Sequence, residues 1–257
     1  MAITEGRPIV TGAERQGDML PIEVDPDVAR ATVEGVPFWF HTFALSRAAG
    51  IYTPGAARDH RYRVATLPSD FGGMSVLDVG TFDGFYAFLA EHRGADRVVA
   101  VDNEQYRLWV ASRWGVELVG GEGFRAIHRL LGSAVEYRRM DAFELGRPGE
   151  RFDLVYCFGI LHRVENPLGL LHVLRGLTAS GGTVLVETYG VLAEDRDEPA
   201  IRGANPGEVY PHDEFVYRGF RDSGLRRLAR IAGFSRAESF IDVEVDDHPR
   251  ILGRLIA

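Results

Sequence analysis

The chain has 257 residues and a formal net charge of −8, from 29 basic and 37 acidic residues. This fits one large α/β domain, or one domain with a small cap, and disfavours a nucleic-acid partner that needs many phosphate contacts. Every basic residue is arginine, which excludes Schiff-base chemistry and a lysine general base.

Residues 1–27 scatter Gly, Pro and charge without a period, which predicts an irregular arm. The N-terminus lacks a basic-then-apolar signal, no stretch nears the roughly 18 consecutive apolar residues of a membrane helix, and the single cysteine, Cys157, has no intrachain partner. A cytoplasmic protein with no membrane partner, a monomer or homodimer, is expected. From Val28 a helical pattern runs until Pro37. Aromatic-rich stretches follow at 38–41, 51–55 and 61–63, and residues 1–70 read as an arm plus a cap over a pocket. Phe38 and Phe40 are expected to pack that layer, with His41 and Tyr52 as candidate substrate contacts. Residues 71–257 form the main domain.

The organising stretch is 75–102. An apolar run, 76–79, ends in Gly80, passes through Asp83-Gly84 into an apolar-periodic segment, and a second run, 98–101, stops at Asp102. This is a βαβ unit. Continuous Val/Leu runs suit parallel strands buried on both faces, whose carboxyl ends face a ligand. The dinucleotide fingerprint wants glycine at the first, third and sixth loop positions, but these are Gly80, Phe82 and Phe85, and the Phe82 ring stands where a pyrophosphate would need bare main chain. A nucleoside ligand without pyrophosphate escapes that objection, and Asp102 suits its ribose hydroxyls because a carboxylate accepts two hydrogen bonds.

Further along, the spacing predicts helices at 104–113 and 124–131, joined by a glycine-rich linker, with Tyr106 and Trp109 in a core stripe. Strands follow at 134–137 and 154–158, then a helix at 167–177 opened by Asn166-Pro167, and a strand at 183–187. Regular patterning lapses over 188–219. The tract 209–217 there supplies Tyr210, His212, Asp213 and Tyr217, and an insertion at about 188–220 is expected to face substrate. His212-Asp213-Glu214 invites a metal reading, but three adjacent ligands converge poorly, and no metal is expected. A helix at 224–233 and strands at 237–245 and 250–256 close the chain.

The run Asp78-Val-Gly80-Thr-Phe82-Asp83-Gly84, with Asp102 ending the next strand, resembles the class I S-adenosylmethionine-dependent methyltransferases. Within them it is similar to the branch named after the tRNA wobble-uridine enzymes. Phe82 replaces the middle glycine of the usual signature. The resemblance implies a Rossmann-like, seven-stranded, mostly parallel sheet with helices on both faces and an antiparallel last strand. It implies S-adenosylmethionine as cofactor, S-adenosylhomocysteine as product, and Asp78, Gly80, Phe82, Gly84, Asp102, Asn103, Asp141, Ala142 and Phe158 as cofactor contacts. It puts the end of the 154–158 strand under the reacting methyl group, His162 and His212 as candidate general bases, and Tyr52, Glu187, Tyr210, Asp213 and Tyr217 as candidate substrate contacts.

Methyl transfer from a sulfonium is an in-line displacement in which positioning supplies much of the acceleration. The expected activity is O- or N-methylation of a small molecule, a natural product or sugar intermediate. The alternatives are a tRNA wobble-uridine modifying enzyme, opposed by the charge balance and the missing lysines, a nicotinamide dehydrogenase, opposed by Phe82 and Phe85, and a noncatalytic binding module.

Overall fold

The computed structural model of the protein describes residues 16–57, 61–146, 149–191, 201–210, 212–245 and 248–257. The first part of the expected arm, 1–15, and the acidic stretch of the insertion, 192–200, lie outside the described residues.

In chain order the elements are α1 (Pro26–Glu34), β1 (Ala44–Ser46), β2 (Ile51–Tyr52), α2 (Arg61–Val64), β3 (Ser75–Val79), α3 (Phe85–His92), β4 (Arg97–Asp102), α4 (Tyr106–Trp114), α5 (Glu122–Leu131) and β5 (Glu136–Arg139). There follow β6 (Phe152–Phe158), α6 (Pro167–Leu177), β7 (Thr178–Tyr189), β8 (Ile201–Gly203), β9 (Arg218–Phe220), α7 (Asp222–Ile231), β10 (Arg236–Val245) and β11 (His248–Ile256). Helix starts follow local chemistry. Asp25 caps α1 through the N–H groups of Asp27 and Val28 with Pro26 in the first turn, and Asn166 caps α6 through Gly169 with Pro167 behind it.

Seven strands form one sheet in the order β10-β11-β7-β6-β3-β4-β5. β3 pairs in parallel with β4 and β6, β4 with β5, and β6 with β7, while β11 runs antiparallel to β7 and β10. This is the Rossmann-like sheet that the resemblance implied. The chain leaves β3 toward one edge and later returns on its other side at β6. Ligand clefts form outside the strand ends at such a switch point.

Alternate residues on each buried strand feed opposite layers. Val76, Ala100, Leu154 and Leu185 pack with α3, α5 and the N-terminal segment. Leu77, Val99, Val155 and Val184 pack with α6 and α7. Residues 16–27 depart from the irregular arm expected of them: Leu20 and Ile22 are buried in the same cluster as Trp39, Phe43 and Phe85, so the N-terminal segment shares the core of the main sheet. The 188–220 tract also differs from expectation, since β8 and β9 pair as a short antiparallel ribbon.

Gly84 opens α3 at a φ of 86°, and a Cβ there would lie 2.6 Å from ring atoms of both Phe88 and Phe124. Gly84→Ala should therefore combine backbone strain with overpacking and cost about 1–3 kcal/mol, read as a lower urea midpoint. An unchanged midpoint would contradict this packing.

Candidate functional site

A cleft of about 1260 Å³, counting its mouth open to solvent, runs along the carboxyl edge of the parallel strands. The sheet order fixes what stands along it: Asp141 just beyond β5, Asp102 at the end of β4, Gly80 beyond β3, Phe158 at the end of β6, and Arg250 from the antiparallel β11.

At the β3–β4 end, Asp102 Oδ2 accepts the N–H of Phe82 at 2.9 Å and Oδ1 accepts that of Glu104 at 2.6 Å. Phe82 has a φ of 51°, a left-handed conformation uncommon for a bulky side chain. The Asp102 bond holds it there, and its ring lies between Phe40 (centroids 4.4 Å apart) and Tyr106 (3.7 Å). Phe40, Tyr106 and Trp109 line the cleft, where sequence periodicity had assigned them to packing alone. Two bonds leave the Asp102 carboxylate with lone pairs to spare. Burial, only partly offset by those backbone bonds, raises its pKa to about 6. Asn103 Nδ2 donates to Asp141 Oδ2 at 3.0 Å, and both residues line the cleft with Ala142.

Asp78 also lines the cleft and accepts the Thr81 hydroxyl at 2.7 Å, with burial raising its pKa to about 7. Gly80 has a φ of 79°, which side-chain-bearing residues rarely adopt, and a Cβ there would stand 2.3 Å from Ile160 Cδ1, so that the Ile160 side chain would have to move. Asp83, which sequence reasoning passed over, ties the N-terminal segment to this loop: its Oδ2 accepts the N–H groups of Phe40 at 2.6 Å and His41 at 2.9 Å. Gly84 lies outside the cleft lining, against Phe88 and Phe124, which replaces its expected cofactor contact with a packing role.

The β6–β7–β11 end carries Arg63, Arg163 and Arg250, which sequence reasoning missed, beside Glu187, Tyr210 and Asp213, which it named as substrate contacts. Glu187, fully buried, accepts from Arg63 at 2.7 Å and from the Tyr62 hydroxyl at 3.0 Å, with Arg250 Nε at 3.5 Å. Burial opposes the Glu187 charge, yet the two guanidiniums hold its pKa below the ordinary value. Arg63 and Arg250 line the cleft, whereas Glu187 stands behind them and not in the lining. Tyr210 hydrogen-bonds Arg250, and buried Asp213 pairs with Arg163 at 2.7 Å, so both expected substrate contacts sit behind arginines that line the cleft. Phe215, from the same tract, does line it.

Besides Gly84, Glu187, Tyr210 and Asp213, three further expected residues are absent from the lining. Tyr52 donates to Asp18 at 2.9 Å. His212 is exposed at a φ of 62°. Tyr217 supports the site through its backbone, its N–H donating to the His162 carbonyl at 2.9 Å.

His162 is buried and lines the cleft, but its hydrogen bonds replace the base role with another. Its Nδ1 accepts the N–H of Tyr189 at 3.2 Å. A backbone N–H only donates, which favours a bare Nδ1 that accepts from Tyr189 and from the Thr188 hydroxyl at 3.3 Å. Burial, then Arg163, Arg250 and Arg63, push the His162 pKa well down and keep the ring neutral, which puts the proton on Nε2. Nε2 is buried without a partner among the described residues. It offers the cleft a donor, not a lone pair.

A family model described as a methyltransferase domain matches residues 52–238 of the 257. The chain belongs to that family, and its class is the S-adenosylmethionine-dependent methyltransferases of class I. Curated relatives include tRNA U34 carboxymethyltransferases from Campylobacter hominis, 28% identical over 49% of this chain and 40% of the relative, and from Klebsiella pneumoniae, 29% identical over 72% and 48%. The chain spans about half the length of the curated relatives it matches. Among solved structures, the N-terminal domain of EvdMO1 with SAH bound shares the fold, with a TM-score of 0.64 at 20% identity over 91% of this chain and 98% of that one. So does a methyltransferase from Mesorhizobium loti, with a TM-score of 0.53 at 19% identity over 77% and 96%.

His41, at the cleft wall, yields a pH test. Burial and then Arg63 lower its pKa to about 3, so the folded protein keeps it neutral while the unfolded chain protonates it below about 6.5. The stability it contributes is full above that value and lost as pH falls toward 3. Between pH 7 and 5 wild type should lose about 2 kcal/mol more than His41→Gln, measured by urea unfolding. Equal losses would contradict the buried, neutral ring.

Proposed function

We propose that the protein transfers a methyl group from S-adenosylmethionine to an oxygen or nitrogen of a small-molecule acceptor. The observation that carries this reading is the Asp102 carboxylate, fixed by two backbone N–H groups at the mouth of a cleft whose neighbouring loop excludes a diphosphate. Its remaining lone pairs suit a ribose diol. Asn103, Asp141 and Ala142 supply an edge for the adenine. Gly80, Phe82 and Phe158 shape the path toward the sulfur, and Asp78 offers a carboxylate to the amino-acid tail. These residues fit the cofactor chemically: acceptors meet hydroxyls and amines, and the Gly80 backbone takes a φ of 79° that favours glycine.

When bound, the cofactor supplies a methyl group on a sulfonium that is its own leaving group. The chain's residues then orient the acceptor and exclude water, which is where most of the acceleration in such a displacement comes from. His162 contributes by donating from Nε2, so the acceptor must arrive with its nucleophilic lone pair available. The net charge of −8 and the absence of lysine favour a small acceptor over the tRNA named for the relatives.

Calorimetry with S-adenosylhomocysteine tests the site. Wild type should bind, and Asp102→Asn should lose about 10–100-fold in affinity, roughly 1.4–2.7 kcal/mol. Wild-type affinity should also fall as pH drops through about 6, where Asp102 gains a proton and loses an acceptor. Retention of full affinity by Asp102→Asn would contradict the assignment.

A further inference from the structure

Among the described residues, the β6–β7–β11 end of the cleft carries more positive charge than its carboxylates neutralise. Arg63 and Arg250, with side chains 5% and 10% exposed, share the single carboxylate of Glu187. Arg163, beside them in the lining, is matched separately by Asp213. Asp78, on the adjoining β3, is the nearest acidic group of the other end. It is engaged by Thr81, and burial keeps it partly protonated near neutral pH. Among the described residues one guanidinium charge therefore stands over, and an unmatched charge is costly where it is buried.

The hydrogen-bonding inventory points the same way. His41 Nδ1, Arg63 Nε, Trp109 Nε1 and His162 Nε2 are buried without partners among the described residues, and all four residues line the cleft. Arg63 Nε and Trp109 Nε1 are donors by their chemistry and His162 Nε2 by the tautomer that the Tyr189 N–H favours, while the His41 nitrogen donates or accepts according to its tautomer. The same lining brings the Arg63 and Arg250 side chains together with Trp109, Phe158 and Phe215.

We infer that this end of the cleft is a carboxylate subsite for the acceptor: the methyl-accepting molecule carries an anionic carboxylate that Arg63 and Arg250 hold and to which His162 donates. The inference rests on the methyltransferase reading and adds the acceptor's chemical class.

The test is calorimetry on protein already loaded with S-adenosylhomocysteine, titrated with benzoate and with its neutral isostere benzamide. Wild type should bind benzoate at least about tenfold more tightly. Arg250→Gln should lose that preference, and Arg250→Lys, which keeps the charge, should retain part of it and guards against a folding defect. S-adenosylhomocysteine affinity should stay within about threefold in both variants. Equal binding of the two probes, or binding of neither, overturns the inference while leaving the cofactor site intact. A tenfold loss of S-adenosylhomocysteine affinity in Arg250→Gln also overturns it, because the guanidinium would then serve the cofactor's own carboxylate. Failure of wild type to bind S-adenosylhomocysteine would instead sink the methyltransferase reading itself.

Discussion

The hydrogen bond from the Phe82 N–H to Asp102 is the constraint on which the cleft depends. It joins the loop after β3 to the end of β4, so the two strand ends cannot separate without abandoning a buried carboxylate. It also holds Phe82 in a left-handed conformation where related loops use glycine, and the rings of Phe40 and Tyr106 take up the side chain that results. A departure from the usual motif is thereby turned into one wall of the site. Asp83 extends the same arrangement outward by anchoring the Phe40–His41 backbone, which brings the N-terminal segment to the cleft.

The two ends of the cleft differ in chemistry because the strands that build them differ. β3, β4 and β5 end in loops rich in acceptors: Asp78, Asp102 and Asp141. β6, β7 and β11 present donors and cations, with Glu187 and Asp213 buried behind the arginines they position. A cofactor with hydroxyls and amines suits the first end and an anionic acceptor the second. No helix among the described residues is long and apolar enough to cross a membrane.

Much of this was legible in the sequence, and for identifiable reasons. The buried parallel strands declare themselves as continuous apolar runs, and the Gly80 loop followed by Asp102 marks the cofactor end within one contiguous unit. The second end was not legible because it is assembled from distant segments. Arg63 meets Glu187 across 124 positions, and Arg250 reaches the cleft only because β11 turns antiparallel beside β7. Local spacing carries no trace of such encounters. His162 was visible as a candidate, but its role depends on a backbone N–H of Tyr189, which no sequence pattern reports. Tyr106 and Trp109 were read as core because a stripe at helical spacing does not say whether its face meets a neighbour or a cavity.

The most direct measurement of the central claim is a crystal structure of the protein with S-adenosylhomocysteine. The account predicts both ribose hydroxyls at about 2.6–3.0 Å from the Asp102 carboxylate, with the Phe82 N–H bond to Asp102 retained. A ribose seated elsewhere, or an Asp102 side chain swung away from the sugar, would contradict it.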